Sequence, residues 1–227
     1  MTILCIETST SVCSAAICKD GEPDRQCICL EGSNHARLLP RYIEELLSFA
    51  RKQHLSIDAV ALSEGPGSYT GLRIGTATAK GLCYGLNIPL YPVSTLDILC
   101  EAAKEKGAQG VLIPMIDARR MEVYTTDINN KARAVVVENE ESLLAPFSLE
   151  ENQSEAPVYY FGDGAAKCQK VFSKPNWHFL PDIVPEARLI GKLITDSRKL
   201  TDNEIAYYEP YYLKEFIAAP SHVKGLQ

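Results

Sequence analysis

The order of strand-like and helix-like stretches predicts an α/β protein of two lobes, each headed by a β-hairpin meander with flanking helices. Three observations carry that prediction. The first hundred residues read βββαβαβα, hairpins first and crossovers later. The opening pattern then recurs: Ile6-Glu7, a small turn and Val12–Ile17 lay over Ile116-Asp117, a small turn and Val123–Ile128. Finally, 227 residues exceed one average domain of roughly 150. We therefore expect lobes at 1–107 and 108–200, and a C-terminal segment, 201–227, that returns to the first lobe.

Each element has a local reason. Residues 2–7, 11–18 and 25–30 are β-branched and cysteine-rich, and turn residues separate them at Thr8-Ser9-Thr10 and Lys19–Asp24. From Asn34 the apolar period becomes helical, with Leu39, Ile43, Leu46, Leu47 and Ala50 on one face and Pro40 tolerable near the first turn. A buried strand at 58–62 leads through the glycine-rich segment 65–71 into a second helix marked by Leu72, Ala79, Leu82, Cys83 and Leu86. A strand at 88–93 and a helix at 95–106 complete the lobe. Further on, strands are expected at 131–137 and 158–161 and helices at 164–172 and 185–199, with an acidic, loop-rich stretch at 138–157.

Composition excludes several classes. Hydrophobic residues make up 46% and charged residues 23%, which suits a packed globular chain and not a disordered one. No apolar run approaches the roughly 20 residues of a membrane span. With no basic leader before Glu7, a cytoplasmic location is expected. The net charge of -6 opposes direct binding of a phosphate backbone. The best basic cluster, Arg37, Arg41, Arg51 and Lys52, is diluted by Glu44 and Glu45. Eight cysteines occur without C-x-x-C or C-x-x-H spacing, so they read as reduced core residues and no metal site is expected.

Ser63–Gly75 stands between a strand and a helix, where backbone N–H groups and the helix dipole can hold an anion. Gly65, Gly67 and Ser68 are its candidate contacts. The spacing matches neither a dinucleotide fingerprint nor a P-loop, and Ser68 has no nucleophile-elbow context. Glu7 followed by Thr8, Ser9 and Thr10 offers a hydroxyl-lined turn. That turn either faces a phosphate or bonds its own backbone. Gly162 and Gly164 form a second, weaker nucleotide hint. Gly71, Gly75, Ala79 and Cys83 recur every fourth residue, a row of small side chains that lets another helix approach closely, within the chain or from a partner.

The whole segment Ser63–Gly75 resembles the hallmark of the TsaB (YeaZ) family. So do Ile3–Thr10, Asn34–Pro40, Ile116–Tyr124 and Pro210–Leu213. The resemblance covers nearly the full length. It implies two ribonuclease-H-like lobes of the actin-like ATPase superfamily. It also implies a non-catalytic scaffold or activating subunit of the machinery that transfers threonylcarbamoyl to the adenosine beside the anticodon of tRNAs reading codons that start with A. The implied partners are TsaD and, through it, the ATPase TsaE, with a homodimer when alone and only indirect contact with tRNA. No cofactor is expected on the chain itself, and ATP is expected at most at the interface of the complex. TsaD-like relatives, of glycoprotease type, carry two histidines four apart on the first helix; here His35 is followed at that distance by Leu39, which argues for packing and against a metal. The resemblance turns the small-residue face (Gly71, Leu72, Gly75, Ala79, Leu82 and Cys83) toward a partner. A small actin-like ATPase or phosphotransferase is the competing reading, and a metallopeptidase is less favoured.

Overall fold

A computed structural model describes residues 1–30, 32, 34–127, 130–139, 142–143 and 156–214. Most of the expected acidic stretch 138–157 and residues 215–227 of the C-terminal segment lie outside the described residues.

The first sheet comprises β1 (Thr2–Glu7), β2 (Cys13–Lys19), β3 (Glu22–Cys29), β4 (Ala59–Gly65) and β5 (Leu90–Ser94), in the order β3-β2-β1-β4-β5. β1 to β3 pair antiparallel, whereas β4 and β5 run parallel to β1. The parallel part requires crossover helices, which cover both faces. Helices α1 (His35–Lys52) and α2 (Tyr69–Leu86) lie on the face that presents Leu4, Ile6, Ala15, Ile17, Val60 and Leu62. Helix α3 (Thr95–Glu105) and a later helix, α4 (Ala187–Leu193), cover the opposite face with Ile3, Cys5, Ala16, Cys18 and Ala61. Because β1 is buried on both sides, its run Thr-Ile-Leu-Cys-Ile-Glu is continuous and does not alternate.

The later residues build two small sheets. Strand β10 (Val158–Phe161) pairs in parallel with β6 (Val111–Pro114) and with β11 (Trp177–Leu180). The antiparallel β7 (Ile116–Asp117), β8 (Glu122–Thr126) and β9 (Ala132–Val136) form the other. The apolar run 111–117 thus divides at Met115, whose N–H bonds Phe161 O at 2.8 Å, so one stretch serves both sheets. Tyr160, Phe172, Trp177 and Phe179 cluster with ring centroids 4.8–6.1 Å apart and supply much of this lobe's core.

Four details depart from the sequence-based expectation. The helix expected at 164–172 is only a 3-10 turn, Ala166–Cys168, because one short stretch cannot offset the cost of helix nucleation while Cys168 and Phe172 are drawn into that core. The helix expected at 185–199 shortens to α4 and ends in another 3-10 turn, Ile194–Asp196. Strand β11 was hidden by its four-residue length. A last helix, α5 (Asp202–Tyr207), has a capping box in which the Glu204 side chain reaches back to Thr201.

The placement of α4 also revises the expected division at 200. It packs on β1, β2, β3 and β4, and Ala187 N–H donates to Ser14 Oγ at 2.9 Å. A Cβ at Gly191 would meet Cys18 Cβ at 2.6 Å, so only glycine lets the helix lie this close to β2. Arg188 bonds Glu105 and Glu186, and Lys192 bonds Glu105, tying α4 to α3. Residues 187–196 thus cover the first sheet, and Leu200 forms an antiparallel bridge with Leu90.

Candidate functional site

Glu7 closes β1 at the centre of the sheet and is fully buried. Its Oε1 accepts from both Ser9 N and Ser9 Oγ, each at 2.6 Å, while its buried Oε2 has no hydrogen-bond partner among the described residues. Burial raises its pKa to about 7, with the Ser9 bonds and then the nearby Ser63 hydroxyl opposing that shift. Within the turn after β1, Ser9 therefore directs both its amide and its hydroxyl at the strand's own carboxylate.

The outer side of the turn is closed by the glycine-rich segment. Ser68 N–H bonds Ser9 O at 2.6 Å, and Thr8 Oγ1 donates to Gly71 O at 2.8 Å. A Cβ at Gly67 would overlap Ser9 O, so this glycine permits the backbone contact. Thr8, Ser9 and Thr10 are all buried. Ser68 caps α2, its Oγ accepting from Gly71 N at 3.3 Å, and Tyr211 N–H bonds Glu64 O at 2.7 Å beside Gly65. The structure thus brings Glu7, Thr8, Ser9, Gly67 and Ser68 together as a closed internal contact. Gly162 and Gly164 abut the backbone of Met115, Ile116 and Asp117 in the second lobe.

The small-residue row requires a correction. Gly71 and Gly75 face Thr8, where any Cβ would overlap its carbonyl and hydroxyl oxygens. Ala79 is fully buried and Cys83 nearly so, both in the core shared with β1 and β4; Leu72 is buried, and half-buried Leu82 packs against the same cluster. The row permits α2 to approach its own sheet, and the outward side of α2 is a different set. Arg73, Ala77, Gly81, Tyr84 and Gly85 are exposed, with Tyr84 at 92%, and nothing stands within 4 Å of a Cβ at Gly81 or Gly85. Sequence reading missed this stripe because both rows carry glycines at spacing four. The apolar neighbours Leu72 and Leu82 were the signal that the first row turns inward.

Helix α1 lies beside α2, and a groove follows α1, lined by its Leu38, Arg41, Ser48, Phe49 and Lys52 with Thr78 of α2. His35 is buried, and its Nε2 lies 3.1 Å from Val12 O. No group of three or more potential metal ligands occurs among the described residues. None of the described helices is long and apolar enough to cross a membrane.

A three-stranded antiparallel edge continued by parallel crossovers, with a hairpin heading the second lobe, defines an α/β protein of the actin-like, ribonuclease-H-like class. Residues 30–206 match the family described as "TsaD: tRNA N6-adenosine threonylcarbamoyltransferase". The chain is 33% identical to the tRNA threonylcarbamoyladenosine biosynthesis protein TsaB of Buchnera aphidicola subsp. Acyrthosiphon pisum, over 88% of this chain and 95% of that one. It is 35% identical to TsaB of Haemophilus influenzae over 56% of this chain, a match that spans only 54% of that relative. The solved structure of YeaZ from Pseudomonas aeruginosa superposes with a TM-score of 0.70 at 26% identity, covering 93% of this chain and 99% of that one. The chain belongs to the TsaB (YeaZ) family.

Proposed function

We propose that this protein acts in tRNA threonylcarbamoyladenosine biosynthesis as a cytoplasmic, non-catalytic subunit that binds and supports TsaD. The observation that carries the proposal is the closure of the turn after β1. The Ser9 amide and hydroxyl that would serve a phosphate go to Glu7, the Thr8 hydroxyl goes to Gly71 O, and segment 65–71 seals the turn from outside. His35 supports the same reading, since its Nε2 engages Val12 O and Leu39 follows four residues later. Chemistry and tRNA binding then belong to the partner; TsaE joins through TsaD, and any ATP sits at the interface of the complex.

For the docking surface we propose the outward stripe of α2, Arg73, Ala77, Gly81, Tyr84 and Gly85, together with the groove against α1. Its glycines let a partner helix approach, and its tyrosine supplies area at low entropic cost. A second copy uses the same face when TsaD is absent. The test is co-purification of TsaD with this protein, with and without ATP, followed by reconstituted tRNA modification. Retained binding and modification that depends on both proteins support the reading. ATP hydrolysis by the purified chain alone, abolished in Glu7→Gln, would replace it with the ATPase reading.

A further inference from the structure

The edge of the first sheet holds a thiol arrangement that the proposed function does not use. In the β2–β3 ladder Cys13 stands directly opposite Cys29, two residues beyond the pairing of Ala15 with Cys27 and remote from the register shift at Ile17 and Cys18. Directly opposed residues of an antiparallel pair put their side chains on one face, with Cα atoms about 4.5 or 5.5 Å apart according to the pair type. Both spacings fall within the roughly 4.4–6.8 Å that a disulfide spans. Cys13 and Cys27 belong to the core beneath α1, where the pKa of Tyr42 on that helix is raised by burial and then by the neighbouring Cys29, Cys13 and Cys27 once ionised. All eight cysteines are present as thiols.

The two thiols differ in access. Cys13 is fully buried, whereas Cys29 is half-buried at the end of the edge strand, where the chain leaves for α1. Desolvation, then the neighbouring Cys29, pushes the Cys13 thiol up to about 12. Such a thiol reacts slowly with anything in bulk solvent, and only a disulfide already held beside it benefits from proximity.

We propose that Cys13 and Cys29 form a reversible redox pair that closes into a cross-strand disulfide when the protein meets a small-molecule disulfide such as oxidised glutathione. The Cys29 thiolate attacks one glutathione sulfur, forming a mixed disulfide and releasing one glutathione thiolate. Cys13 then attacks the Cys29 sulfur and expels the second, its proton passing to the departing glutathione thiolate. The protein loses two electrons and two protons, and one oxidised glutathione becomes two reduced ones. The crosslink closes a loop over the β2–β3 hairpin and fastens the edge strand where it feeds α1. The other adjacent pair, Cys5 and Cys18, sits fully buried between the sheet and α4, out of reach of such an oxidant.

The experiment treats the full-length protein with oxidised glutathione at mildly alkaline pH, then counts thiols and maps peptides without reduction. Expected are a loss of two hydrogen masses, a linked peptide pair containing Cys13 and Cys29, and a dithiothreitol-sensitive rise in melting temperature of roughly 5 °C or more. Cys13→Ala should stop at a stable glutathione adduct on Cys29, whereas Cys29→Ser should react with neither glutathione nor itself at this site. A link between Cys5 and Cys18, or a wild type that halts at the Cys29 adduct, would overturn the proposal. None of these readouts involves TsaD, so failure here leaves the proposed function standing, and the converse holds as well.

Discussion

Glu7 is a carboxyl group buried with one oxygen unmatched, and its pKa of about 7 makes stability depend on pH. The unfolded chain releases this proton near the ordinary value of 4.5, while the folded chain holds it until about 7. The native state therefore binds more protons across that window, and stability falls as pH rises through it, by up to about 3 kcal/mol if the carboxylate stays buried. Glu7→Gln should flatten that fall, as read from denaturant unfolding at pH 5 and pH 8; an unchanged difference between the two would mean the carboxyl is solvated. At this scale the sequence was partly legible. Glu7 and its hydroxyl turn stood out as a unit, but what closes them comes from sixty residues away. Only the fold could tell an internal bond from a phosphate site.

At the scale of the element, α2 offers two rows of small residues with opposite expected outcomes. Ala79→Leu should overpack the contact with β1 and β4 and destabilise the isolated protein by about 1–3 kcal/mol, seen as earlier melting. Gly81→Leu, on the open side, should leave melting unchanged or slightly raised, because glycine inside a helix costs about 1 kcal/mol relative to better formers. The same change should weaken association with TsaD and with a second copy. Melting that falls for Gly81→Leu and not for Ala79→Leu would reverse the orientation of the helix. Helices α1, α2 and α3 were legible because apolar periodicity ran long enough in each. The 3-10 turn at 166–168, the four-residue β11 and the six-residue α5 were not, since tertiary contacts and not local propensity decide such short pieces. The capping box at Thr201 and Glu204 was readable evidence for α5 that periodicity alone passes over.

For the whole molecule, the alternation of elements and the repeated hairpin carried the fold class into view, while the route of the chain after 185 did not. Pro185–Lys199 reads as one more amphipathic helix, and nothing local says which sheet it will cover. That choice falls to Gly191, Arg188 and Lys192, whose partners lie in β2, α3 and the β2–β3 turn. The consequence concerns synthesis on the ribosome. The first sheet's second face lacks Ala187, Leu189, Ile190 and Ile194 until nearly the whole chain has emerged. A nascent chain of 107 residues holds every strand of that sheet and still exposes the apolar surface those four side chains later cover. Released at that length, it should be captured by chaperones or aggregate; adding residues 185–200 in trans as a peptide should restore its solubility, and a soluble, cooperatively melting 1–107 fragment would show that the late helix is dispensable.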